Sequence, residues 1–136
     1  MNGATVLFID GNHENFERLK NLKSEYLFDN EVGKVNDRIF HLKRGRPYHI
    51  NGKSIFTFGG ATSIDRMYRN QGIDWWAEEV PSKDEVELGL NVACSEKFDY
   101  IIISSKSNAT RGICNQFSRF LKNTPVVSLQ TEKVRK

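Results

Sequence analysis

Thr5-Val6-Leu7-Phe8-Ile9 is an unbroken β-rich apolar run, and it stops at Asp10-Gly11-Asn12-His13-Glu14. A run without polar alternation is expected of a strand covered on both faces, the habit of parallel strands in α/β proteins. Gly11 can turn the chain tightly because it carries no Cβ. The turn then offers Asn12, His13 and Glu14 at the carboxyl end of a strand, where an α/β sheet holds its chemistry.

The rest of the chain repeats this alternation. Residues 98–103 (Phe-Asp-Tyr-Ile-Ile-Ile) and 124–129 (Thr-Pro-Val-Val-Ser-Leu) read as further strands. Residues 14–23 read as a helix with Phe16, Leu19 and Leu22 on its inner side. Ser82-Lys83-Asp84-Glu85 is a capping box, and the helix after it places Val86, Leu90, Ala93 and Cys94 on one face. Residues 111–122 form a third helical pattern through Ile113, Phe117, Phe120 and Leu121. Residues 24–37 are mostly polar and read as a loop. Residues 38–43 and 46–50 have strand character, broken at Gly45 and Pro47. Asn51-Gly52 lies between two β-rich runs, the pattern of a type I′ hairpin, which needs positive φ at both central positions. Residues 61–81 read as an irregular connection and 132–136 as a polar tail. The expected class is α/β.

A length of 136 residues is that of one domain, residues 1–136, with room for a core. Hydrophobic residues at 38% and aromatics at 11% oppose a disordered chain. A net charge of +3 allows nucleic-acid binding without demanding it. No apolar run approaches the roughly 20 residues of a membrane span. No basic residue precedes the first apolar run, so a signal peptide is not expected. Cys94 and Cys114 lack CxxC spacing and fall on helical patterns, so buried free thiols and a cytoplasmic location are expected.

Gly11-Asn12-His13-Glu14 stands as a GNH[D/E] motif, and the chain resembles the calcineurin-like metallophosphoesterases. The resemblance runs from Val6 to about Ser105. Asn15-Phe16, then residues 41–45 (His-Leu-Lys-Arg-Gly), 52–61 (Gly-Lys-Ser-Ile-Phe-Thr-Phe-Gly-Gly-Ala), Trp75-Trp76, Glu78-Glu79 and Pro81 are similar to a bacterial and phage subgroup. The resemblance implies a β-sandwich flanked by helices, with two metal ions activating a water that attacks phosphorus. It implies that Asn12 is a metal ligand and that His13 assists the leaving group. His13 and Glu14 complete the residual metal cluster, which would take manganese or another divalent ion if the chain is active.

Much of that family's ligand set has no counterpart. Too few residues precede Gly11 for the family's Asp-x-His and Gly-Asp blocks, and no Gly-His-x-His occurs. The strand ending near Ile103 runs into Ser104-Ser105-Lys106, where the family carries Thr-His. The three histidines are His13, His41 and His49. His41 lies where family members carry a non-ligand His, and His49 is expected at the surface beside the Asn-Gly turn. The other reading of Asn12 is a cap on the following helix. Ser104-Ser105-Lys106 does not make a Ser–Lys nucleophile, since the residues are adjacent and no oxyanion donors can be argued.

The expected fold is therefore a truncated metallophosphoesterase-like sandwich with exposed sheet edges, which invite a homodimer or a protein partner. The expected function is a non-catalytic binding protein with no cofactor. One concrete form is a phage or mobile-element inhibitor of a host defence nuclease, an anti-CRISPR-like protein. The alternative is a metal-dependent phosphoesterase, its site completed by a second chain or by one residual metal. If the sequence is instead a piece of a longer reading frame, an in-frame Asp-x-His is expected upstream. Lys43, Arg44 and Arg46 form one basic cluster and Arg66 and Arg69 another. With Tyr48, Tyr68, Trp75 and Trp76 nearby, these offer a surface for nucleic acid or nucleoprotein, against the plainer reading of a solvated charged face. Trp75 and Trp76 read as core and cover, with one exposed as an interface anchor.

Overall fold

The computed structural model describes residues 3–11, 14–61, 66–104, 115, 119 and 126–129. Among them are two four-stranded sheets. The first has the order β1 (Val6–Phe8), β4 (Ile39–Leu42), β3 (Asn30–Lys34), β2 (Lys23–Leu27). The second has the order β5 (Arg46–Ile50), β6 (Lys53–Phe58), β7 (Tyr100–Ser104), β8 (Val126–Leu129). β1 runs parallel to β4, and β6, β7 and β8 are mutually parallel. The class is α/β, and the two sheets with helices beside them are compatible with a β-sandwich.

Two apolar clusters order the layers. Phe56 and Phe58 of β6 and Ile101 and Ile103 of β7 pack with Ala93 and Phe98. The helix α2 (Lys83–Ser95) adds the partly buried Val86, Leu90 and Val92 to that cluster. The other cluster joins both sheets: Val32 of β3 and Phe40 and Leu42 of β4 meet Tyr48 of β5. The Tyr48 hydroxyl satisfies its polarity inside that cluster, donating to the Glu31 carbonyl at 2.7 Å and accepting from the Lys43 N–H at 2.9 Å.

Local signals explain the element ends. Ser82 caps α2 by accepting from Glu85 N–H at 3.1 Å, while the Glu85 carboxylate accepts from Ser82 N–H at 2.8 Å. Asn51 (φ 51°) and Gly52 (φ 76°) make the positive-φ turn between β5 and β6. Gly45, at φ 70°, brings the β4–β5 turn onto α2, where an added Cβ would stand 3.5 Å from the Gly89 Cα.

Several expectations are corrected. Residues 24–37 are no loop: β2 and β3 form an antiparallel hairpin turning at Phe28 (φ 55°) and Asp29 (φ 63°). Phe-Asp lacks the glycine that advertises such a turn, and β2 carries mostly polar residues because it is an edge strand with little cover. The helix expected over 14–23 shrinks to α1 (Phe16–Lys20), five residues long. Its cap is Asn15, not Asn12: the Asn15 side chain accepts from the Arg18 N–H at 3.0 Å. β1 is likewise an edge strand with Val6 exposed, so it lacks the two-sided cover that its run of apolar residues implied. Cys94 is exposed on α2, because the apolar face turns through Ala93 instead. The third helical pattern, Cys114 and the polar tail lie outside the described residues, apart from Asn115 and Arg119, which are helical and exposed. Among the described residues, no helix is long and apolar enough to cross a membrane.

Candidate functional site

β1 ends at a buried carboxylate. Asp10 follows it closely and is 2% exposed. An ionised carboxylate at such depth requires cationic or hydrogen-bonding partners. His41 on β4 lies across the parallel pair, and its Nε2 donates to Asp10 Oδ1 at 3.0 Å. Arg44, in the turn after β4, donates from Nε to Asp10 Oδ2 at 2.8 Å, and its Nη2 stands 2.7 Å from the same oxygen as an ion pair. Both oxygens are thereby occupied by side chains of the chain itself. Burial pushes the Asp10 carboxyl up, but the His41 hydrogen bond and the charge and hydrogen bonds of Arg44 outweigh it and hold the group below its ordinary range.

Arg44 extends this cluster to other elements. Its Nη1 reaches Glu85 at 3.3 Å, the same carboxylate that caps α2. Its Nη2 donates to the Glu78 carbonyl at 2.6 Å, and the guanidinium lies over the Phe16 ring, 5.4 Å from its centroid. Phe8 packs on the other member of the cluster, its ring 5.2 Å from that of His41. The Asp10 backbone also joins the sheets, its carbonyl accepting from the Gly60 N–H at 2.8 Å. Gly59 must be glycine for this approach, since an added Cβ would collide with the Asp10 carboxylate. β1, β6 and β7 thus bring their carboxyl ends together, with Ser104 Oγ 3.8 Å from where a Gly11 Cβ would lie.

A groove of about 420 Å³ opens over this cluster. Phe16, Leu19 and Leu22 give it an apolar wall. Lys20, Lys43 and Arg46 supply cations along its lining. Lys43 donates to Glu31 Oε1 at 2.6 Å, and Arg46 stands 3.6 Å from Oε2 of the same carboxylate. The Lys43 hydrogen bond, more than any other contact, pulls the Glu31 pKa down to about 2. Lys20 pairs with Glu78 at 2.6 Å, and that hydrogen bond draws the Glu78 carboxyl below its usual range.

The sequence-based candidates separate in space. Asn12 and His13 lie outside the described residues. Glu14 is half-buried, and burial raises its pKa, against a backbone hydrogen bond at Gly11. Both Asp10 oxygens are engaged by side chains of the described residues, His41 and Arg44. Among the described residues no three His, Cys, Asp or Glu side chains converge as a cation site. The basic run 43–46 divides: Arg44 turns inward with its side chain 12% exposed, while Lys43 and Arg46 stay at the groove rim. Arg66 lies in a short 3-10 turn, its side chain outside the description. Arg69 donates to the Asp74 carbonyl at 2.9 Å within its own loop. Trp75 is buried and Trp76 half-buried, the division into core and cover expected of the pair, although neither is fully exposed as an anchor. Met67, Tyr68 and Ile73 occupy exposed positions of that loop instead. His49 is exposed beside its turn, with Nδ1 3.4 Å from Asp29.

Asp10 is the residue that the motif reading misses. Its signal is physical: a carboxylate closing an apolar strand is carried into the interior and must find a cation. Comparisons with protein-family models, with curated proteins and with solved structures each return no match.

Proposed function

We propose that the chain is a non-catalytic binding protein on a degenerate metallophosphoesterase scaffold. The observation that carries this reading is the internal compensation of Asp10. The carboxylate at the strand end, beside the Gly11 turn, has both oxygens engaged by His41 and Arg44. A guanidinium there supplies the positive charge that a metal would otherwise bring, and it holds the strand ends in place without offering an open coordination position. The GNH[D/E]-like turn then serves to join β1 to α1.

Binding to a protein partner through exposed strand edges fits the sheet order, in which β1 and β2 flank the first sheet among the described residues. The specific form proposed is an inhibitor of a bacterial defence nuclease, of the anti-CRISPR kind. Immobilised chain incubated with extract from cells carrying an active CRISPR nuclease is expected to retain that nuclease and to slow its cleavage of target DNA. Retention of no nuclease, with cleavage unchanged at excess protein, would sink the inhibitor reading.

One observation favours a second reading. Glu14 is a half-buried carboxyl with a raised pKa next to the strand-end turn, the kind of group that serves as a general acid. On that reading the chain is a metal-dependent phosphoesterase completed by a second copy. Activity that grows with the square of protein concentration would support it.

A further inference from the structure

We propose that the groove beside α1 is a binding site for a small organic anion with an apolar body, its anionic head held by Lys43 and Arg46 and its body laid against Phe16, Leu19 and Leu22. This site does not depend on the nuclease-inhibitor reading, since it uses the groove and not the sheet edges.

The placement of charge selects the cations that take the head. Arg44 is engaged by two carboxylates, Asp10 and Glu85, and by the Glu78 carbonyl, so its donors are occupied. At Lys43 and Arg46 the ratio reverses: the two cations share the single carboxylate of Glu31. Lys43 and Arg46 line the groove, whereas Glu31 does not, so the compensating charge stands behind them. Although the Asp10 and Glu85 carboxylates outnumber Arg44 elsewhere in the lining, two cations on one carboxylate leave a local excess of positive charge at Lys43 and Arg46. An anion entering there gains charge-assisted hydrogen bonds without displacing a buried partner. The half-exposed Glu31 contacts are readily rearranged, because water solvates whichever group is released.

The wall selects the body. Leu19 and Leu22 remain half-buried, and both face the same opening as Phe16. Covering them removes apolar surface from water, at roughly 25 cal/mol per Å². A volume of about 420 Å³ suits a ligand larger than a bare oxyanion, within the size range of small-molecule pockets. A simple inorganic anion would satisfy the cations and leave the apolar wall wet. A neutral apolar molecule would cover the wall and leave the charge excess unmet.

The test is a fluorescence titration of the full chain with anilinonaphthalene sulfonate, run beside the uncharged N-phenylnaphthylamine and with inorganic sulfate as competitor. The expected result is one saturable sulfonate site per chain. The neutral analogue should bind at least about fivefold more weakly, and sulfate should not compete at equal concentration. Arg46→Gln and, separately, Leu19→Ala should each weaken the sulfonate at least about fivefold, while Lys53→Gln at the exposed start of β6 changes nothing. The urea midpoint of Arg46→Gln should match the parent, which separates loss of the site from loss of the fold. Four results overturn the proposal: no saturable site, binding indifferent to Arg46→Gln, equal affinity for the neutral analogue, or full competition by sulfate.

Discussion

The Asp10 cluster and the Glu31 cluster both draw cations from the short stretch Lys43 to Arg46, yet one lies buried and the other borders water. In the first, Arg44 meets a carboxylate that is 2% exposed, and His41, Phe8, Phe16 and Gly59 enclose the pair. In the second, Glu31, Lys43 and Arg46 keep 30 to 40% of their side-chain surface in solvent. Distances alone do not separate them, since each holds a contact of 2.6 Å. Solvation does. A buried pair that loses one member leaves an uncompensated charge in the interior, whereas an exposed pair that loses one member is simply hydrated. The buried cluster therefore holds the architecture, and the exposed one is free to exchange partners.

The largest effect expected from this contrast is at Asp10. Asp10→Ala should cost about 3–5 kcal/mol in urea unfolding, because it strands the Arg44 guanidinium beneath the groove. Arg44→Met should cost a similar amount, and the double variant should cost clearly less than the two added together. A cost below about 1 kcal/mol for either single change would erase the distinction between the clusters.

The same residue sets an acid limb. The folded-state pKa of Asp10 lies below its ordinary 3.8, so in that window the unfolded chain takes up the proton first. Its contribution is fully present above about pH 3.8 and is lost as pH falls through the lower folded value. Glu14 has the opposite sign. Its folded pKa is raised, so stability increases as pH falls through that value toward the ordinary 4.5. Unfolding free energies of Asp10→Asn should have a shallower slope below pH 3.8, and those of Glu14→Gln a flatter profile above 4.5.

Gly59→Ala tests the packing around the buried cluster. Its Cβ must displace the Asp10 carboxylate, and an overpacking cost of about 1–3 kcal/mol is expected. Ser82→Ala is expected to cost about 1 kcal/mol through the lost cap of α2, and it should leave the Arg44–Glu85 contact in place. The smallest effect belongs to the exposed cluster: Glu31→Gln should leave the melting temperature within the scatter of the parent, despite the depressed pKa of that carboxylate. A clear drop would mean that the two clusters are alike after all.

How far the sequence reveals this difference depends on the element. The Asn51-Gly52 hairpin, the capping box at Ser82 and the strands at Ile39–Leu42, Lys53–Phe58 and Tyr100–Ser104 carry local signals strong enough to read directly. The β2–β3 hairpin does not, because its turn is built on Phe28 and Asp29 and its outer strand is polar. Unlike the Asn51 turn, this one is held by tertiary contacts: the Phe28 carbonyl accepts from the His49 N–H at 3.0 Å. The site is half legible. The strand-end turn marks where the carboxyl ends converge, but the motif draws the eye to the residues after Gly11 and away from Asp10 before it. Nothing local distinguishes Arg44 from Lys43 and Arg46. Only the fold shows that the turn after β4 aims one of the three at Asp10.

The most direct test of the compensated strand end is to measure bound metal and phosphodiester hydrolysis on one preparation of the full chain. Protein equilibrated with manganese and freed of excess should retain clearly less than one ion per chain, and bis-nitrophenyl phosphate should hydrolyse no faster than in the manganese blank. Stoichiometric manganese together with hydrolysis that disappears in His13→Ala would contradict the account.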